Sequence, residues 1–207
     1  MKNVEGRLKE LFFYENRCRE KGFTLIAGID EAGRGPLAGP VAACALILPD
    51  GAAIEGVNDS KQLSAAKRET LETLIRASAV AVSVGFASHE EIDRFNILNA
   101  TRLAMKRAVE NLAPAPDFLL IDGKDTIDVP LPQQAIIRGD CLSHTVAAAS
   151  IVAKVARDKI MRACHKRYPQ YGFDKHKGYG TKAHREALKI HGLCPIHRQS
   201  FTKRIVT

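Results

Sequence analysis

The chain has 207 residues, 45% of them hydrophobic and 26% charged, which is ample for a buried core and excludes an extended disordered chain. Thirty-one Lys and Arg against 23 Asp and Glu give a net charge of +8, favouring a polyanionic partner over an anionic membrane. The excess is segregated: residues 154–207 carry 14 basic and 3 acidic groups, whereas residues 1–153 carry 17 basic and 20 acidic, which disfavours a uniformly basic coating protein and leaves carboxylates free for chemistry.

Met1 to Gly22 is charged throughout, so no secretory signal is expected there and the protein is placed in the cytoplasm. The longest apolar run, Val41 to Leu48, is far short of the roughly 20 residues that span a bilayer, so no membrane partner is expected. Five scattered cysteines suit a reducing compartment.

In chain order, Leu8, Leu11, Phe12 and Tyr14 mark an amphipathic lead-in helix within 1–22. Thr24 to Asp30 reads as a strand, followed by a glycine-rich turn through Gly39 and a doubly buried strand over Val41–Leu48. Ser64 caps a helix reaching about Ala77, and Val80–Ala87 alternates as a third strand. Ser88 and Glu91 have capping-box spacing and open a helix to Leu112 with a break near Asn96. Prolines 114 and 116 end it. Phe118–Asp122 and Gln134–Arg138 read as short strands, and helices follow over Ser143 to about Arg167 and Thr181–His191, the latter stopped by Gly192. The alternation predicts an α/β fold, a mixed sheet with helices packed on it. The turn-rich stretch Tyr168–Gly180 is the one candidate boundary, setting a core domain over 23–167 apart from a basic helical C-terminal segment over 168–207.

Three predicted strands run into carboxylates: Asp30 and Glu31, Asp122, and Asp140. Ligand sites on open α/β sheets gather at the carboxyl ends of strands, so these four acids are expected to converge. Any one such Asp could be a turn former or helix cap. Asp30 and Glu31, however, sit inside an apolar segment where a charged pair is costly to bury. Converging carboxylates repel unless a cation neutralises them, and an all-oxygen set suits Mg²⁺ or Mn²⁺.

The turn from Gly33 to Gly39 fails as a phosphate-binding P-loop, because Arg34 and Gly35 stand where Lys and Ser or Thr belong, and it misses the dinucleotide fingerprint by one residue. It remains a glycine turn able to bring N–H donors close to a ligand, or a plain tight turn. Cys141 with His144, and Cys194 with His197, could supply four zinc ligands of a metal-stabilised module, though pairs this far apart arise by chance. Tyr179 lies among lysines and histidines and could stack on a sugar or base, or pack internally.

The segments GIDEAGRGPLAGPV, NDSKQLS, LLIDG, AAASIVAKVARDKIM and YGFDKHKGYGT, running in that order from Gly28 to Thr181, resemble type 2 ribonuclease H, the ribonuclease HII family. The resemblance implies a ribonuclease H-like mixed five-stranded sheet flanked by helices, with the helical C-terminal segment appended. It implies that Asp30, Glu31, Asp122 and Asp140 are the catalytic acids and ligands of two divalent ions, Mg²⁺ or Mn²⁺. It further implies that Gly33, Arg34 and Gly35 feel the ribose 2′-hydroxyl, that Tyr179 packs on that nucleotide, and that Ser60 and Lys61 contact phosphate. Asp158, in mid-helix beside Arg157, is expected to form a local ion pair instead. The implied activity is hydrolysis of the RNA strand of RNA–DNA hybrids, and cleavage on the 5′ side of ribonucleotides embedded in duplex DNA, leaving 3′-hydroxyl ends. The partners are then those nucleic acids, with no obligate protein partner. A non-catalytic duplex binder on the same fold is the alternative, and a binder has no reason to gather negative charge where phosphate must approach.

Overall fold

The computed structural model describes residues 11–57, 63–203 and 205. In chain order its elements are helix α1 (Phe13–Glu20), strands β1 (Ile26–Ala32) and β2 (Val41–Ile47), helix α2 (Ala65–Ser78), strand β3 (Ala81–Ala87), helix α3 (His89–Glu110), and strands β4 (Phe118–Asp122) and β5 (Gln133–Ile136). The helical turn α4 (Gly139–Leu142), the long helix α5 (His144–Arg167), a short turn α6 (Phe173–His176), α7 (Lys182–His191) and α8 (Gln199–Thr202) complete the chain.

The five strands form one sheet in the order β3-β2-β1-β4-β5. β1 pairs antiparallel with β2 and parallel with β4, so the sheet is mixed, as the alternation of elements predicts. Both faces are covered, which is why β1 and β2 read as near-continuous apolar runs. Ala27, Ile29, Ala43, Ala45, Leu119 and Ile121 face α3, with Ala100, Ala104 and Ala108 among the helix side chains in that layer. Cys44 and Leu46, from the other face, share a second cluster with Leu71 and Ile75 of α2 and Ala148, Ile151 and Val152 of α5.

The helix starts follow local chemistry. Ser64, Ser88, Ser143 and Thr181 each accept a hydrogen bond from the third residue onward, at 3.2–3.3 Å. Glu91 closes the capping box by accepting from the Ser88 N–H at 2.9 Å. The break near Asn96 is real: its φ is 67°, and its side-chain oxygen accepts from the N–H groups of Leu98 and Asn99, restarting the helix.

One close approach places the site. A Cβ at position 28 would lie 2.4 Å from the Thr145 carbonyl carbon, so only glycine lets the first turn of α5 lie directly on β1. Glu15 of α1 holds the same helix end, accepting from the Ser143 hydroxyl at 2.6 Å and the Thr145 N–H at 3.0 Å. The C-terminal segment shares a cluster with the glycine turn and α5 through Leu37, Met161, Tyr171, Phe173 and Leu188.

Candidate active site

β1 and β4 are parallel and in register from Ile26 with Phe118 to Ile29 with Ile121. One step further along both strands, Asp30 and Asp122 come level, and both lie on the face that α5 covers. Glu31 completes the group, and the three carboxylates offer ligand oxygens all within 4.8 Å of one another. Among the described residues this is the only such group of His, Cys, Asp or Glu.

Asp30 is buried, with 5% of its surface exposed. Burial pushes its carboxyl well above the usual range, and the charges of Glu31 and Asp122 push it further. The Glu31 N–H, 2.6 Å from Oδ1, and the Ser150 hydroxyl on α5 act in the opposite direction. Arg34 is the cation at the rim, half exposed and 3.4 Å from Glu31 Oε1. Three oxygen donors, one of them costly to ionise alone, fit a hard divalent cation.

Asp140 departs from the expected arrangement. β5 ends at Ile136, Arg138 adopts a left-handed conformation at φ 61°, and Asp140 therefore sits in the helical turn α4 instead of at a strand end. The turn is tied to the site by the Gly139 N–H, which donates to Asp122 Oδ1 at 2.6 Å. Asp140 is buried, and its carboxylate stands outside the tight group of three. Asp158 pairs with Lys154 at 2.6 Å, one helical turn away, as the local ion pair expected of it.

The glycine turn lies beside Glu31. Gly33 has φ +101°, and the space a Cβ would need is filled by the Arg157 side chain, whose Nε would be 2.0 Å away. Tyr179, 45% exposed, approaches from the C-terminal segment, its Cε1 being 3.7 Å from where a Cβ on Gly35 would stand. Residues 144 positions apart thus share one surface with the carboxylates. Ser60 and Lys61 lie outside the described residues.

The Cys–His pairs do not gather into a zinc site among the described residues. His144 is engaged elsewhere: its Nε2 accepts from the Ile54 N–H at 3.0 Å, and burial lowers its pKa to about 4. His197 belongs to a relay. The Cys194 N–H donates to its Nδ1 at 2.9 Å, so the proton sits on Nε2 and is donated to His184 Nε2 at 3.0 Å. His184 then donates from Nδ1 to the Tyr179 carbonyl at 2.9 Å. Burial keeps both rings neutral, lowering His197 to about 4 and His184 below its ordinary value.

Residue patterns alone passed over Ser150, Arg157, His184 and Arg198. Arg157 carried a signal: Ala153, Arg157 and Met161 repeat at four-residue spacing on the buried stripe of α5, where an arginine is out of place. Arg198 carried none.

Solved structures with this sheet and these helices define the class. The ribonuclease H2 of Pyrococcus horikoshii OT3 superposes with a TM-score of 0.73 at 27% identity, covering 87% of this chain and 96% of that one. The fold is therefore that of the ribonuclease H-like nucleases, and the carboxylates lie at the ends of its adjoining parallel strands. The ribonuclease HII family model matches residues 27–204. Ribonuclease HII of Acetivibrio thermocellus is 54% identical over 97% of this chain and 78% of its own length, and that of Geobacter metallireducens is 55% identical over 93% and 91%. The chain belongs to the ribonuclease HII family of endoribonucleases, which are hydrolases. Among the described residues, no helix is long and apolar enough to cross a membrane.

Proposed function

We propose that the protein hydrolyses the RNA strand of RNA–DNA hybrids and cuts on the 5′ side of single ribonucleotides in duplex DNA, leaving 3′-hydroxyl ends. The observation that carries this reading is the group of three carboxylates within 4.8 Å, set beside a glycine turn and an exposed tyrosine. Asp30, Glu31 and Asp122 would hold the divalent cations, Mg²⁺ or Mn²⁺, with Asp140 as a further acid contributed from α4. When bound, two such ions would supply charge neutralisation at the phosphate and would acidify the attacking water.

The chain's own groups do the rest. Burial and the neighbouring carboxylates disfavour the charged form of Asp30, so a bound cation would favour its ionised form and cation affinity would rise with pH. The Gly139 N–H donates to one oxygen of Asp122 at 2.6 Å and so helps to orient its carboxylate toward the group. Gly33, Arg34 and Gly35 offer backbone donors to the ribose 2′-hydroxyl, the group that separates RNA from DNA, without a long side chain to order. Tyr179 packs on the same nucleotide, Ser60 and Lys61 contact phosphate, and the basic helix α7 grips the duplex through Lys182, Arg185 and Lys189.

Asp122→Asn tests the roles directly. The expected outcome is a loss of cleavage of at least about 10³-fold with either Mg²⁺ or Mn²⁺, with affinity for an RNA–DNA hybrid retained within a few fold. Near-normal turnover in the purified, folded variant would overturn the assignment.

A further inference from the structure

Two arginines lie buried beneath the glycine turn with no carboxylate partner within 4.0 Å among the described residues. Arg198 has no exposed surface, yet all five of its N–H donors are used, every one on a main-chain carbonyl of a single turn. Nε donates to Gly39 at 2.9 Å, Nη1 to Arg34 at 2.9 Å and Pro36 at 2.8 Å, and Nη2 to Gly33 at 2.6 Å and Pro40 at 3.2 Å. Arg157 adds Nε to Pro40 at 2.9 Å, Nη2 to Ala38 at 3.1 Å and Nη1 to Lys177 at 3.0 Å.

A buried guanidinium without a counter-ion is an expensive way to fill space, and it lowers the pKa of Arg198 to about 9. What it provides is direction. In a trans peptide the carbonyl and the following N–H point opposite ways. With the Gly33 and Arg34 carbonyls drawn inward to Nη2 and Nη1, the N–H groups of Arg34 and Gly35 are driven outward, toward the surface that Tyr179 and Glu31 share. Neither N–H bonds to another backbone group among the described residues. The neighbouring residue does the same for the tyrosine, since His197 holds the Tyr179 carbonyl through His184.

We propose that Arg198 is the positioning residue for ribose recognition, fixing the outward donors of Arg34 and Gly35 before substrate arrives. This rests on the reading of the glycine turn as the ribose-sensing element. Lysine at this position keeps the charge but cannot reproduce the five-donor fork, so R198K separates geometry from electrostatics.

The test compares D122N with D122N/R198K, in which cleavage is silenced. Binding is measured by fluorescence anisotropy to a DNA duplex carrying one ribonucleotide and to the same duplex all in DNA. The expected result is a preference of D122N for the ribonucleotide duplex that falls at least fivefold in D122N/R198K, with all-DNA affinity unchanged within twofold. An unchanged preference in a folded double variant overturns the role of Arg198. Absence of any preference in D122N itself overturns the underlying reading of the turn, a different result. Should R198K not fold, backbone order parameters on the unaltered protein decide: values near 0.85 for the Arg34 and Gly35 amides without substrate support a fixed turn, and values below 0.6 overturn it.

Discussion

Asp30 meets two costs at once, burial and two neighbouring carboxylates, so metal-free protein carries destabilising electrostatics at its own site. The sign follows from the raised pKa. Below the ordinary carboxylate value the group is protonated in both folded and unfolded chain and costs nothing; as pH rises through the raised value, the unfolded chain ionises more readily and stability falls. Asp30→Asn is therefore expected to make the chelated protein more stable than the parent at pH 8, with a higher urea midpoint, while abolishing cleavage. Urea unfolding in EDTA checks it, and a variant no more stable than the parent would contradict the account. Asp30, Glu31 and Asp122 were legible as strand-end acids because a strand and its terminal residue are contiguous in sequence. Arg198 was not, since its partners are carbonyl groups some 160 positions away and a carbonyl leaves no mark in residue type.

At the scale of elements, α5 joins the site to the rest of the chain. It lies on β1 where Gly28 lets it, contributes Ser150 to Asp30 and Arg157 to the glycine turn, and starts immediately after the turn bearing Asp140. Its first turn is capped from α1 by Glu15, which is buried and bonded to both the Ser143 hydroxyl and the Thr145 N–H. Glu15→Ala leaves both donors unpaired and is expected to cost about 2 kcal/mol in urea unfolding, with Glu15→Gln recovering most of it; a neutral alanine variant would show that α1 is merely laid against the domain. The helix caps and the Asn96 break were readable because each is settled within four residues. The α4 turn was not: AIIRGD looks like a strand reaching Asp140, but a left-handed Arg138 and the Gly139–Asp122 bond turn the chain aside, and that bond joins two separate elements.

For the whole molecule, the division of charge acquires a spatial meaning. The acidic body holds the carboxylates, and the basic segment brings Tyr179 and the exposed Lys182, Arg185 and Lys189 to the same side as the glycine turn. Neutralising Lys182 and Lys189 together is expected to shallow the slope of log affinity against log salt by nearly 2 for a duplex, about 0.9 per lost phosphate contact, whereas Asp122→Asn leaves the slope unchanged. Equal slopes for the double lysine variant and its parent would place the duplex elsewhere. The central claim is that carboxylates, cation and ribose-reading turn act on one phosphodiester bond. Cleavage mapping on a DNA duplex with a single ribonucleotide tests it most directly: the account predicts one cut on the 5′ side of that ribonucleotide, leaving a 3′-hydroxyl and abolished by EDTA, and a cut at any other position, or one that persists in EDTA, would contradict it.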